Sequence, residues 1–345
     1  MSGSVRSVHP IHAIVERTNK VLDEQAESLG RLDKGDAIKT YRYLRIGMIG
    51  AVGLLGVAIA IEWRTVPSHC FQTSISAYYY TPVRAIFVGA MMAVGLALIV
   101  YKGRKWPEDL CLNIAGLLAP IIAVAPTTDV GPCWSVRPIP LPVRPNDTLA
   151  AWVKDNINNN FYALLYAAVI GLTFSIILVI AIEYRASNRG DKKATEKGTW
   201  LSIIITAVAI LIGWLLIEHW GGFYTQAHGY SALLFFVFLG GAILINAGAH
   251  RRKARKSKAA GNEPARKREW RLWVVYGGVV VLMILGFIIF GVFDVGGDHS
   301  ILWLEAWEIA LFATYWLVQT AENWDEDLPM GRAEGKPVGA RSTDS

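Results

Sequence analysis

The chain has 345 residues, 53% of them hydrophobic and only 18% charged, with a mean hydropathy of +0.34. A soluble domain carries roughly a quarter charged residues, so this composition excludes a soluble globular domain and points to a protein housed in lipid. The formal net charge of +6 is unevenly placed along the chain, and its placement reports topology.

In chain order, Ile11, Ile14, Val15, Thr18, Val21, Leu22, Ala26 and Leu29 fall at helical spacing among charges. That pattern predicts an amphipathic helix lying on the membrane or on the protein's own loops, or docking a partner. The first 44 residues are polar and carry no signal-peptide pattern, so the first apolar run is expected to act as an uncleaved anchor. Runs without Asp, Glu, Lys or Arg follow at 46–61, 85–101, 110–128, 161–182, 199–217, 229–249, 272–293 and 309–321. The last reaches spanning length when extended back over Glu308 and Glu305 to Ser300. About 20 apolar residues cross a bilayer core, and backbone polar groups in lipid must be satisfied within the segment, which selects helices. The expected fold class is all-α: a polytopic membrane bundle of about eight transmembrane helices. The expected division is a cytoplasmic segment at 1–43, a transmembrane domain at 44–320 and a disordered cytoplasmic tail at 321–345.

The basic residues agree with this count. Placed on alternating sides, 29 of the 34 Lys and Arg fall on the side of the N-terminus, and only Arg64, Arg84, Arg137, Arg144 and Lys154 fall on the other. This is the positive-inside pattern, with both termini cytoplasmic. The block RRKARKSK at 251–258 then reads as an orienting loop that touches anionic headgroups, not as a nucleic-acid site. The expected location is the plasma membrane.

Between the first two runs stands TSISAYYYT, residues 73–81, at the outer interface. Its tyrosines suit an aromatic belt at headgroup level. Ser74 and Ser76 share a register that turns them toward the bundle. Cys70 and Cys133 both fall in outer loops, where an oxidising space would let them pair. The alternative is two free thiols. Gly47, Gly50, Gly53 and Gly56 form a stripe on the first helix, as small residues do at close helix contacts. Glycine-rich faces of this kind are the expected route to a homo-oligomer or a membrane partner. Pro120 lies inside the third run. The long loop at about 127–160 is proline-rich, contains a glycosylation sequon at Asn146, and ends in a short amphipathic stretch with Trp152 as an interfacial anchor.

The chemistry-bearing residues gather on the outer side. Glu305 and Glu308 lie one helical turn apart on the last helix. An ionisable residue in a membrane segment costs roughly 2.5–3.5 kcal/mol on insertion scales and marks a functional site by default. Two carboxylates that close must share a proton, pair with a histidine or bind a cation. Otherwise they form a polar clamp to a neighbouring helix. The candidate ligand-binding set is Ser74, Ser76, Tyr78, Asn113, His228, Asp298, His299, Glu305 and Glu308. Zinc is the metal that His219, His228, Asp298, His299 and Glu305 would take. No HExxH, HxxxH or CxxC spacing is present, so the expectation is no metal and no cofactor. Ser76, His228 and Asp298 are the residues for a nucleophilic triad, without a nucleophile elbow.

Four short motifs carry a resemblance. Ile75-Ser76-Ala77 runs to Pro82 before the second helix, and Asn113-Ile114-Ala115-Gly116-Leu117 lies in the third. His228 with Ala232 opens a later helix, and Glu305-Ala306-Trp307 lies in the last, with Gln319 near its inner end. Together they resemble the DRAM-like multi-pass family, with Ala77 where that family has aspartate. The resemblance implies a lipid-related membrane role. A more distant likeness is to CREST-type membrane hydrolases, which use Ser, Asp and His to hold a metal. The expected function is an outward-facing polar pocket that binds a lipid or small ligand without catalysis. The alternatives are a metal-dependent lipid hydrolase and a proton- or cation-coupled transporter.

Overall fold

The computed structural model describes residues 39–103, 105–129, 131–135, 149–188 and 197–324. The expected helix at 11–29, the sequon at Asn146, the side chain of Trp152 and the tail beyond 324 lie outside the described residues. Eight α-helices occupy the described residues: α1 (Lys39–Thr65), α2 (Arg84–Val100), α3 (Trp106–Val124), α4 (Leu149–Asn188), α5 (Lys197–His219), α6 (Phe223–Ala259), α7 (Glu263–Gly286) and α8 (Ser300–Glu322). No strand occurs among these residues. Seven of the helices are long and apolar enough to cross a membrane, and the chain is thus a multi-pass membrane protein. The short one is α2, whose 17 residues lie at the lower limit of spanning length.

Contacts at the helix ends establish the alternation. At one pole, Arg45 donates to the carbonyl of Gln319 at 2.9 Å, Lys102 meets Asp109 at 2.6 Å and His250 meets Glu269 at 2.7 Å. These join the start of α1, the α2–α3 turn, the α6–α7 turn and the end of α8. At the opposite pole, the amide of Leu302 donates to the carbonyl of Thr73 at 2.9 Å, and Tyr224 donates to Asn158 at 2.8 Å. Here the α1–α2 loop meets the start of α8, and the start of α4 meets the start of α6. The first pole carries the basic loops, and we call the second the outer pole.

The helices pack unequally. α2, α3, α6 and α7 form the tightest sequence of neighbours. α2 and α3 approach closely because Gly95 faces Gly116. A Cβ on Gly95 would sit 2.8 Å from both the Gly116 carbonyl oxygen and the Pro120 ring. Pro120 therefore packs against α2. α4 and α5 form an outlying hairpin that buries little of its apolar surface: Ile170 is 69% exposed and Ile204 57%. It docks near the outer pole through Ile157 and Phe161, whose ring meets Phe223 edge-on at 4.8 Å.

The glycine stripe of α1 packs against none of the described residues. Gly47, Gly50, Gly53 and Gly56 are exposed, and a Cβ on any of them meets no atom within 4 Å. The last turns of α7 widen into a π-helical segment at Phe287–Val292. Cys70 and Cys133 are joined in a disulfide with a Cα–Cα distance of 5.7 Å, which ties the α1–α2 loop to the loop after α3.

Candidate functional site

The segment TSISAYYYT forms the outer cap of the bundle. Ser76–Tyr80 is a 3-10 helix. Ser74 Oγ accepts the amide of Ala77 at 2.9 Å at its start, a local bond that serine offers in place of a ladder. At its end Thr81 Oγ1 donates to the Tyr78 carbonyl at 2.8 Å. The three tyrosines do not form an interfacial belt. Tyr78, Tyr79 and Tyr80 are only 1–2% exposed. Tyr80 donates to the Thr127 carbonyl at 2.8 Å, and Tyr79 accepts from Arg84 at 2.8 Å with the guanidinium over its ring. Burial pushes all three phenols above their ordinary value of 10.0, so they work as neutral wedges. An apolar ring with one hydroxyl suits a belt and a wedge equally, and only the packing separates the two.

Ser76 is the hub. His228 Nε2 lies 2.7 Å from its Oγ, Glu305 Oε1 lies 2.8 Å from the same oxygen, and the Ser76 amide donates to Glu305 Oε2 at 3.1 Å. His228 Nδ1 lies 2.7 Å from the Ala125 carbonyl oxygen. That carbonyl follows the last turn of α3, where helical acceptors lack partners. A carbonyl only accepts, so Nδ1 carries a hydrogen. Ser76 has one hydroxyl hydrogen and two short contacts to fill. Either it donates to Glu305 and receives from a doubly protonated His228, or it donates to His228 and receives from a protonated Glu305. The two arrangements hold the same number of protons and the same net charge, and they interconvert by moving two protons along the chain.

These groups form one wall of a cleft of about 920 Å³ between α6 and the α7–α8 pair. The cleft runs along α6 from Thr225 to Leu244, about 28 Å at ~1.5 Å per residue. Its polar groups sit at the outer end, and Leu244, Val280, Met283 and Ile284 form the rest. Leu233, Val237, Ile284 and Ile301 on its margins are 43–57% exposed, so the cleft opens sideways toward lipid. Glu308 lines it and is only 4% exposed, yet its Oε2 has no hydrogen-bond partner among the described residues.

The structure thus brings together five of the nine predicted site residues: Ser74, Ser76, His228, Glu305 and Glu308. Tyr78 is fully buried in the adjoining core. Asn113 is half-buried in the part of α3 nearer the basic pole, twelve positions before Ala125, or about 18 Å along the axis. Asp298 is exposed and His299 half-buried in the 3-10 turn that precedes α8. Neither they nor His219, which is exposed, line the cleft. The Ser76–His228 pair therefore has Glu305 beside it, not Asp298. Among the described residues no three His, Cys, Asp or Glu side chains converge as metal ligands would.

A second polar node lies at the basic pole and was not expected from the sequence. His250, fully buried, has Glu269 at 2.7 Å from Nδ1 and Glu322 at 3.3 Å from Nε2. Tyr276 donates to Glu322 at 2.6 Å. This node clamps α6, α7 and α8 together. His250, Glu269 and Glu322 stand just beyond the ends of the apolar runs, where charge is ordinary, so no sequence signal separated them from loop residues.

No protein-family model, curated protein or solved structure matches this chain. Of the motif residues behind the DRAM-like resemblance, Ser76, His228 and Glu305 meet at the cleft and Asn113 does not.

Proposed function

We propose that this membrane protein binds a lipid-like amphiphile in the α6–α8 cleft, with the polar head at the outer end and the apolar part along α6 and α7. The observation that carries this reading is the polarity gradient of one continuous cavity: Ser76, His228, Glu305 and Glu308 at one end, aliphatic side chains at the other. Its volume falls within the range of ~300–1,000 Å³ typical of ligand sites.

The 2.7 Å Ser76–His228 contact favours a second reading, in which Ser76 attacks an acyl ester of a bound lipid with His228 as base. An acyl-transfer site also needs free N–H groups aimed at the oxyanion. The two nearest amides are engaged, that of Ser76 by Glu305 and that of Ala77 by Ser74. Binding without chemistry is therefore the better-supported role.

The test is occlusion of the cleft. A Cβ on Gly240, which lines it, meets no atom within 4 Å, so Gly240→Phe starts its side chain into open cleft space. Lipids retained through purification are extracted and quantified by mass spectrometry. Wild type is expected to keep about one amphiphile per chain, and Gly240→Phe to lose it while still folding, with a melting temperature lowered by no more than the lost ligand's stabilisation. Equal retention by both proteins would refute the reading.

A further inference from the structure

The hydrogen-bond count at the site also constrains the ligand's charge. Of the residues lining the cleft, two are acids, Glu305 and Glu308, and none is Lys or Arg. The Glu305–Ser76–His228 chain has zero net charge in either proton arrangement, because the imidazolium form is always opposite a carboxylate. Glu308 is outside that chain. It lies one turn further into α8, buried and lining the cavity, with Oε2 unpartnered among the described residues. A buried carboxylate is tolerated where a proton donor or a cation meets it. No Lys or Arg lines the cleft, and both ring nitrogens of His228 are already engaged by Ala125 and Ser76.

Resting on the amphiphile reading, we infer that the cleft selects a long-chain amine: a single apolar chain with one cationic or N–H-donating head, seated on Glu308. Ionised Glu308 gives the cleft one net negative charge, which a monocation neutralises. An ammonium head also donates where Glu308, Glu305 and Gln226 accept. The ring of Tyr230 and that of Phe236 line the same stretch and offer faces that attract a cation. A phosphate or carboxylate head would meet Glu308 with no Lys or Arg in the cleft wall to offset it, a like-charge opposition that disfavours it.

The experiment titrates octadecylamine, octadecanol and octadecanoate into the full-length protein in neutral detergent, with intrinsic tryptophan fluorescence and thermal unfolding as readouts. Wild type, Glu308→Gln and Gly240→Phe are compared. The inference expects the amine to bind at least about tenfold tighter than either other ligand, a difference of ~1.4 kcal/mol. That preference should vanish in Glu308→Gln, and all binding should vanish in Gly240→Phe. If wild type binds the three ligands alike and only Gly240→Phe abolishes binding, the charge inference falls and the amphiphile reading stands. If none binds, or Gly240→Phe changes nothing, the amphiphile reading falls and takes the inference with it. Should Glu308→Gln fail to fold, the three-ligand comparison on wild type still decides, because a cleft indifferent to head charge gives equal affinities.

Discussion

Ser76 has a single hydroxyl hydrogen to share between His228 and Glu305, so the three side chains stand or fall as a unit. Removing the hydroxyl leaves an imidazole nitrogen and a carboxylate oxygen facing each other across a gap. An unsatisfied buried polar group costs about 1–3 kcal/mol. Ser76→Ala is therefore expected to lower the unfolding free energy by that order, and His228→Ala by a similar amount. The double variant should cost less than the sum by ~0.5–3 kcal/mol, the coupling range of groups in one network. Thermal and denaturant unfolding in micelles measures all three variants; strict additivity would mean that Ser76 and His228 do not share the bond seen at 2.7 Å. At this scale the sequence was informative where burial makes a residue expensive. Glu305 and Glu308 stand out because they interrupt an apolar helix, and His228 because it opens one. Asp298 and His299 were grouped with them only by proximity along the chain. A turn has no period, so nothing in the sequence says that its side chains face away from the cleft.

Glycine shows the same limit at the scale of the helix. The stripe on α1 has the better sequence pattern, yet Gly50 faces open space. The pair that does bring helices together, Gly95 and Gly116, has no pattern of its own, because the two residues come from different helices. Periodicity reports that a face is smooth; it does not report what lies against it. Gly95→Leu should force α2 from α3, since even a Cβ there would sit 2.8 Å from a backbone oxygen and a proline ring. Backbone and ring cannot yield as a flexible side chain would, so the cost belongs with overpacking, about 1–3 kcal/mol or more. Gly50→Leu should leave the unfolding free energy of the monomer within about ±0.5 kcal/mol of wild type, as surface substitutions do. A matched pair of unfolding curves checks both. Equal destabilisation by the two would show that the α2–α3 contact is not the tight one.

For the whole molecule, two independent regularities agree: the alternation of helix ends between two poles, and the distribution of Lys and Arg. Apolar length needs only composition, and charge bias needs only counting, which is why the all-helical membrane architecture was legible from the sequence. The rotation of each helix was not, because α4 and α5 are apolar on every side and any face could meet the bundle. The weakest link in the alternation is α2, with 17 residues. If α2 crosses, Lys105 lies on the same side as Lys258, and Asp298 on the other. All three are exposed, so cysteine can replace each without disturbing the core. In sealed vesicles of one orientation, on a Cys111→Ser background, a membrane-impermeant maleimide should label Asp298→Cys from one side, while Lys105→Cys and Lys258→Cys should react only from the other. Labelling of Lys105→Cys from the side that labels Asp298→Cys would mean that α2 turns back within the bilayer. Thr73, before α2, donates to Asp129, after α3, at 2.6 Å, and the α2–α3 turn closes through Lys102 and Asp109 at the other end. A hairpin held at both ends in this way moves as one piece, so the label on Lys105→Cys reports where the whole α2–α3 turn lies.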